Sequence, residues 1–201
     1  SEMCIRDRAR ILGALYFINN INEDDLVKRC RRALWGNTAL FLVFFLAFVI
    51  RTLLADGYAV RPETGEVFME PYKYLTNFLQ MPVVLLVFLV GVVAVLWGII
   101  RTLWKPAFDK GIWFAGAGTV LTVLALLLVA GYNNTAYYPS THDLQSSLTL
   151  ANSCSSQFTL KVMAYVSILV PFVLAYIFYA WRSIDNRKID AKEMEEGGHA
   201  Y

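Results

Sequence analysis

The side chains best suited to chemistry lie in one polar segment, residues 131–160, which joins two apolar runs. Within it, His142 and Asp143 set an imidazole directly beside a carboxylate. A helix cap formed by Asp143 and a water-linked hydrogen bond from either residue are two possible roles. We favour a third interpretation, in which the pair simply supplies the polarity of a solvated loop.

Metal and haem ligation is not expected within this chain. Cys4, Cys30 and Cys154 are few and irregularly spaced, which excludes a disulfide framework or a CxxC metal site. His142 and His199 are the only histidines. We interpret the acids of residues 63–70 as solvated side chains, with a cation site as the alternative: Glu63, Glu66 and Glu70. We therefore expect no metal-binding or haem-binding residue in this chain.

The elements that position these residues follow from an unusually apolar composition. Of 201 residues, 57% are hydrophobic and only 17% are charged, and the mean hydropathy is +0.48. Such a chain is too apolar for an ordinary soluble domain, which predicts an all-α polytopic membrane protein. The formal net charge of +2 provides no strong field that would attract nucleic acid, so no nucleic-acid partner is expected.

Four apolar runs predict four complete membrane-spanning helices. Each holds about 20 residues, which at about 1.5 Å per residue reach across the roughly 30 Å of the hydrocarbon layer. No Asp, Glu, Lys or His lies in the middle of any run. A proton or ion path at membrane depth usually needs such a group, so none is expected here. The predicted spans are residues 37–55, 82–100, 111–132 and 162–181.

The transmembrane domain is predicted at residues 11–186, and it is flanked by segments of different character. Residues 1–10, SEMCIRDRAR, resemble translated sequencing-adapter sequence, and we expect them to be non-native. Residues 11–18 are interpreted as the end of a preceding membrane helix whose beginning is missing. Residues 19–32 hold acids before bases, which predicts a short surface helix. Residues 187–201 are the expected cytoplasmic tail.

Small residues and one proline predict how the helices pack and bend. Gly91 and Gly98 are expected packing positions of the second span. Pro171 lies inside the fourth span, where its missing N–H should kink the helix. In the third span, small residues recur every four positions and predict a packing face: Gly111, Ala115 and Thr119.

The distribution of charge predicts the orientation. Eleven Lys and Arg residues lie in the N-terminal segment after residue 10, the loop between the second and third spans, and the tail. The other two loops hold four. Because cytoplasmic loops carry the excess of Lys and Arg, the N-terminal side and the C-terminus are predicted to be cytoplasmic. The segment 131–160 is then external.

A series of short motifs gives more specific information about the protein class than the composition does. In chain order these are RTLLADGY at residues 51–58, MEPYKYLTNFLQMP at 69–82, AGAGT at 115–119, GYNNTAYYPS at 131–140, SLTLANS at 147–153 and SQFTLKVM at 156–163. Together they resemble the C-terminal half of subunit II of the cytochrome bd-type quinol oxidases, in the variant of Bacteroidetes-type bacteria. A proline within the last helix is also a feature of that family, which Pro171 matches.

The resemblance implies a heterodimeric complex in the bacterial inner membrane that oxidises quinol and reduces dioxygen to water. In that family, subunit I carries haem b, haem d and the quinol site, whereas subunit II binds no haem and supports the complex. The polar residues implicated in subunit II lie mainly in the N-terminal half, so no catalytic residue is carried over to this sequence. Membrane lipid and quinone are further expected contacts. A fragment of a transporter or channel and a purely structural scaffold are the alternatives.

Within this picture, the polar segment is expected to be structural. We predict that five of its residues order the last external loop or contact the partner subunit: Asn133, Asn134, Tyr137, Tyr138 and Asp143.

Overall fold

The computed structural model describes residues 2–105 and 107–184 of the chain. It is helical apart from one small hairpin and one short 3-10 turn at Leu144–Ser146. The expected tail at residues 187–201 lies outside the described residues. In chain order the elements are α1 Glu2–Asn20, α2 Asp24–Leu54, β1 Gly57–Val60, β2 Val67–Glu70, α3 Lys73–Gln80, α4 Pro82–Trp104, α5 Gly111–Gly131 and α6 Gln157–Ile184.

Four of these helices are long and apolar enough to cross a membrane: α2, α4, α5 and α6. Each contains one of the four predicted apolar runs to within one residue at its ends. The predicted all-α polytopic membrane fold with four spanning helices is therefore confirmed. The side of the membrane on which the termini lie stays a prediction.

Helix α2 differs from the expectation. Residues 19–32 do not form a separate surface helix, because α1 runs to Asn20 and α2 continues without a break from Asp24 to Leu54. Its 31 residues reach about 46 Å, so its charged first turns extend beyond a hydrocarbon layer of about 30 Å. There, Arg31 Nη1 donates to the Thr102 carbonyl at 2.7 Å. This bond satisfies a carbonyl in the last turn of α4, where a positive charge also suits the helix dipole.

Helix α1 includes residues 2–10, which belong to the segment expected to be non-native, and continues through the apolar residues 11–18. Its buried side chains, Ile11, Leu15 and Ile18, form a cluster with Leu34 of α2 and Ile99 of α4. Whether residues 1–10 are native stays a prediction.

The closest helix contact is between α4 and α5. Buried positions of α5 alternate in steps of four and three residues, as in a coiled-coil seam: Gly111, Ala115, Gly118, Thr122, Ala125 and Val129. A Cβ on Gly118 would lie 2.5 Å from the Gly91 carbonyl oxygen, and one on Gly98 would lie 2.8 Å from that of Gly111. The predicted packing role of Gly91 and Gly98 is confirmed, but Thr122 rather than Thr119 continues the α5 face.

Helix α6 stands apart from this core. Nearly all of its described side chains are exposed, and the ring of Phe178 lies 6.5 Å from that of Trp113. The helix continues through Pro171, and Ser167 Oγ donates to the Met163 carbonyl at 2.8 Å. The kink expected at Pro171 stays a prediction. Such an apolar, exposed helix suits surroundings of lipid or of other membrane helices.

Candidate functional site

The loops at the predicted external side fold into one unit, which we call the polar cap: residues 56–81 and 131–152. Its centre is the antiparallel hairpin of β1 and β2, in which Gly57 faces Glu70 and Val60 faces Val67. The other edge of β1 binds the chain that leaves α5. Val60 N donates to the Asn134 carbonyl at 2.8 Å, and Ala136 N donates to that of Tyr58 at 2.9 Å. The two loops are thereby joined as a three-stranded arrangement.

Asn133 and Asn134 give the chain the turn that this pairing needs. Their φ angles are 57° and 52°, in the left-handed region that asparagine tolerates better than most residues. The turn begins directly after α5 ends at Gly131. Asparagine at both positions therefore fits the backbone conformation, independently of any side-chain chemistry.

A buried amide lies beneath this turn. Asn77 of α3 has no exposed surface, and its Nδ2 donates to the Val129 carbonyl and to Thr135 Oγ1, both at 2.9 Å. Its Oδ1 accepts a bond of 3.1 Å from Asn133 Nδ2, which also donates to Gln80 Oε1 at 2.6 Å. One side chain thus connects the end of α5 and the turn that follows it to α3. A buried amide with these bonds is satisfied and structural rather than reactive.

A second buried polar group lies where α3 meets the hairpin. Lys73 is buried, and its Nζ is 3.1 Å from Glu70 Oε2. Gly57 lets this side chain approach, since a Cβ there would lie 2.5 Å from the Cβ of Lys73. Next to it, burial raises the pKa of the Tyr74 phenol, and Tyr58 raises it further. The phenol is therefore neutral at physiological pH. Glu66 is exposed, as expected, and pairs with Arg61 at 2.9 Å, whereas Glu70 is half-buried beside Lys73.

The rest of the polar segment is held to the hairpin by side-chain amides and hydroxyls. Gln145 pairs with β2 like a short strand: its Oε1 accepts from Val67 N at 3.0 Å, and its Nε2 donates to the Val67 carbonyl at 2.9 Å. Ser147 is fully buried, accepts from Ser140 N at 3.0 Å and donates to the Leu144 carbonyl. Exposed strand edges invite pairing with other chains, and Gln145 covers this one.

His142 and Asp143 occupy different environments despite their adjacency. Asp143 Oδ1 accepts from Gln145 N at 3.2 Å and its Oδ2 accepts from Ser146 Oγ at 3.2 Å, so the carboxylate caps the 3-10 turn at Leu144–Ser146. His142 is exposed, and its backbone N–H donates to Ser140 Oγ at 3.3 Å. The Asp143 carboxylate is thus committed to holding this turn.

Tyr137 and Tyr138 lie at the surface of the polar cap. Their exposed fractions are 43% and 67%, and the backbone of Tyr138 pairs with Leu148. Other large apolar side chains of the cap are also exposed: Met69, Tyr72, Tyr132, Leu148 and Leu150. The tyrosine hydroxyls of this surface can contact lipid headgroups, and its apolar side chains can contact protein.

The described residues do not offer a haem or metal site. In residues 2–105 and 107–184, no group of three or more His, Cys, Asp or Glu side chains could hold a metal ion. The histidine of that part of the chain, His142, lies on the exposed loop and away from the apolar helices in which a haem would be buried. The described apolar helices therefore offer no histidine to a haem iron.

Three residues central to the cap were not singled out from the sequence as site residues: Lys73, Asn77 and Gln145. Asn77 and Lys73 lie inside the motif of residues 69–82, but their types alone do not distinguish a buried amide from an exposed one. Helix α3 is only eight residues long, with apolar side chains on both sides of Asn77. A buried polar position on such a short helix gives little periodic signal.

The fold and the cap define a class: a polytopic all-α membrane protein whose loops on the predicted external side form a hydrogen-bonded structural cap. The chain belongs to the cytochrome bd terminal oxidase subunit II family, whose sequence model matches residues 8–184. It is 30% identical over 155 residues to the cytochrome bd-I ubiquinol oxidase subunit 2 of Escherichia coli K12, and equally to those of strains O6:H1 and O157:H7. The match covers 76% of this chain and 39% of each relative. The chain thus spans about two fifths of the length of these relatives.

This membership confirms the resemblance inferred from the motifs. It does not favour the alternative of a transporter or channel fragment. The chain is a multi-pass membrane protein of a respiratory oxidase family.

Proposed function

We propose that this chain is part of a supporting, haem-free subunit of a cytochrome bd-type quinol:oxygen oxidoreductase in the bacterial inner membrane. The complex would oxidise quinol and reduce dioxygen to water in the aerobic respiratory chain. Haem b and haem d would lie in a partner, subunit I, which forms a heterodimer with this subunit. The observation that carries the proposal is the family match, which extends over all four apolar helices.

Two features of the described residues support a non-catalytic role. The buried polar groups of the cap are committed to hydrogen bonds and one ion pair within the chain, as for Asn77, Lys73 and Ser147. The spanning helices also hold no acid, lysine or histidine at mid-membrane positions. Both features suit a subunit that holds a partner in place rather than one that carries protons or ligates haem.

The proposal is tested by co-expressing the full-length subunit with its partner and purifying through a tag on this subunit. We expect the product to carry the reduced absorbance of haem d and quinol-dependent oxygen consumption. The matched control expresses the same tagged subunit without the partner gene, which should yield no haem. Recovery of a stable, haem-free monomer when both genes are expressed would overturn the proposal.

We further propose that the polar cap contributes to the contact with subunit I. Asn133, Asn134 and Asp143 would act indirectly, because their bonds order the loop. Tyr137 and Tyr138 would act directly, because their rings are exposed beside other apolar side chains. Tyrosine is enriched among residues that dominate binding energy at protein interfaces.

Replacing Tyr138 tests this contact. Because 67% of the side chain is exposed, Tyr138→Ala should leave the yield and thermal stability of the subunit unchanged. Loss of a buried interface ring should lower the recovery of the haem-bearing partner about tenfold in a detergent wash series. Tyr138→Phe keeps the ring and serves as the control, with near-normal recovery expected. If Tyr138→Ala retains both partner and oxidase activity, the cap does not contact the partner through this residue.

A further inference from the structure

One arginine at the end of α4 is held by two aromatic rings. The guanidinium carbon of Arg101 lies 5.4 Å from the centroid of the Trp97 ring and 5.6 Å from that of Phe108. Both distances are within the range of a cation–π contact. The residue lies in the last turn of the helix, on the predicted cytoplasmic side. The rings fix where the charge lies and leave the edge of the guanidinium able to donate hydrogen bonds.

The charge of Arg101 is not neutralised by the part of the chain that the structure describes. Among the described residues, the Arg101 side chain contacts the two rings but forms no ion pair and no hydrogen bond. Lys105 and Lys110 follow on the same side of the membrane and likewise have no ion pair among the described residues. An arginine with five donors and no acceptor is suited to a phosphate or carboxylate ligand.

A shallow apolar groove lies along α4, one turn before this arginine. It is lined by Leu89, Val90, Val93, Ala94 and Trp97. Helical spacing puts Val90, Val93, Trp97 and Arg101 on one face, so Trp97 belongs both to the groove and to the ring pair. Leu89 and Trp97 are separated by about 12 Å along the helix axis. The groove therefore extends from the cytoplasmic end of the helix towards the middle of the membrane.

We propose that this face of α4 binds an anionic phospholipid of the adjacent leaflet. Its phosphodiester would accept charge-assisted hydrogen bonds from Arg101, with Lys105 contributing nearby charge, and one acyl chain would lie in the groove. A free phosphate would leave the groove unused. A neutral protein helix would leave the Arg101 charge unpaired. The phospholipid matches both features, and the site is independent of quinol oxidation.

Native mass spectrometry of the detergent-purified full-length protein tests the headgroup contact. Phosphatidylglycerol is titrated against phosphatidylcholine, and we expect preferential retention of phosphatidylglycerol. Arg101→Gln should reduce that retention about five- to tenfold, since one basic residue near a membrane surface contributes about 1 kcal/mol or more. Arg101→Lys should retain part of it. Arg182→Gln, which removes an exposed basic residue on the same predicted side, is the matched control and should have less than about a twofold effect.

A second pair of variants tests the acyl groove. Val93→Trp fills it, whereas Val120→Trp alters α5 at a side chain of nearly equal exposure, 66% against 63%. We expect only Val93→Trp to weaken retention of phosphatidylglycerol, and inorganic phosphate to compete poorly. Equal retention of the two lipids by the unaltered protein, or equal effects of Arg101→Gln and Arg182→Gln, would overturn the proposal. Full displacement by inorganic phosphate with no effect of Val93→Trp would also overturn it, in favour of a simple anion site.

Discussion

Gly118→Ala should destabilise the protein strongly although it adds a single methyl group. The added Cβ would lie 2.5 Å from the Gly91 carbonyl oxygen and 2.7 Å from Val95 N. Both are backbone atoms of α4, so no side chain can rotate away and the two helices must separate. Overpacking of this kind costs about 1–3 kcal/mol, which exceeds the roughly 1 kcal/mol that alanine gains over glycine in a helix.

Gly116→Ala is the matched control, because it is the same substitution two residues away on the same helix. A Cβ on Gly116 meets nothing within 4 Å, so this variant should be neutral or slightly stabilised. We expect the thermal midpoint in detergent to be lower for Gly118→Ala than for Gly116→Ala by about 5 °C. Equal midpoints would mean that α4 and α5 do not approach this closely.

The packing of α4 against α5 shows which contacts the sequence predicts and which it does not. Small residues predicted that α4 and α5 pack closely, because few other residues allow membrane helices to approach. The prediction of Thr119 as the third position of the face was wrong, because a constant step of four drifts around the helix. A face of 3.6 residues per turn is kept by alternating steps of four and three. Gly116, although part of the same glycine-rich run, consequently points away from α4.

Hydrophobicity predicted the spans well, but it did not predict how the helices begin. Helix α2 starts 13 residues before the apolar run at residue 37, since charged residues such as Arg31 are good helix formers, and Arg31 also finds a partner in α4. Conversely, the hairpin of β1 and β2 is too short to show a clear alternation of apolar and polar residues. Local sequence therefore gives only a weak signal for the start of α2 and for the hairpin.

The polar cap could not be derived from the sequence for a different reason. Its main bonds join residues that lie far apart in the chain: 52 residues separate Asn77 from Val129, and 78 separate Val67 from Gln145. Nothing in either local segment specifies such a pairing. The sequence identified Asn133 because it lies in a distinctive polar stretch, whereas its buried partner, Asn77, lies in α3 and was missed.

Asn77→Ala should disrupt this cap more than any other single substitution within it. The amide has no exposed surface and takes part in three hydrogen bonds. Its removal leaves the Val129 carbonyl, Thr135 Oγ1 and Asn133 Nδ2 without these bonds. Because each buried polar group left unsatisfied costs about 1–3 kcal/mol, we expect a total loss of about 3 kcal/mol after local relaxation. Thermal unfolding in detergent measures it, with Gln80→Ala as a control that removes one exposed partner of Asn133 and should cost less than about 1 kcal/mol.

Asn77→Leu tests hydrogen bonding against packing, because leucine has the branched shape of asparagine and fills at least its space but has no donor or acceptor. If Asn77 mainly filled space, leucine would restore stability; we expect it to fail, since the same three groups lose their bonds to the amide. Hydrogen exchange gives the local test. The amides of Val60 and Ala136, which join β1 to the turn after α5, should exchange faster in Asn77→Leu, while those of the α4–α5 seam should not. Unchanged protection at both amides would mean that the turn is held by the backbone alone, and that Asn133 and Asn134 order the loop through their left-handed conformation without the amide beneath them.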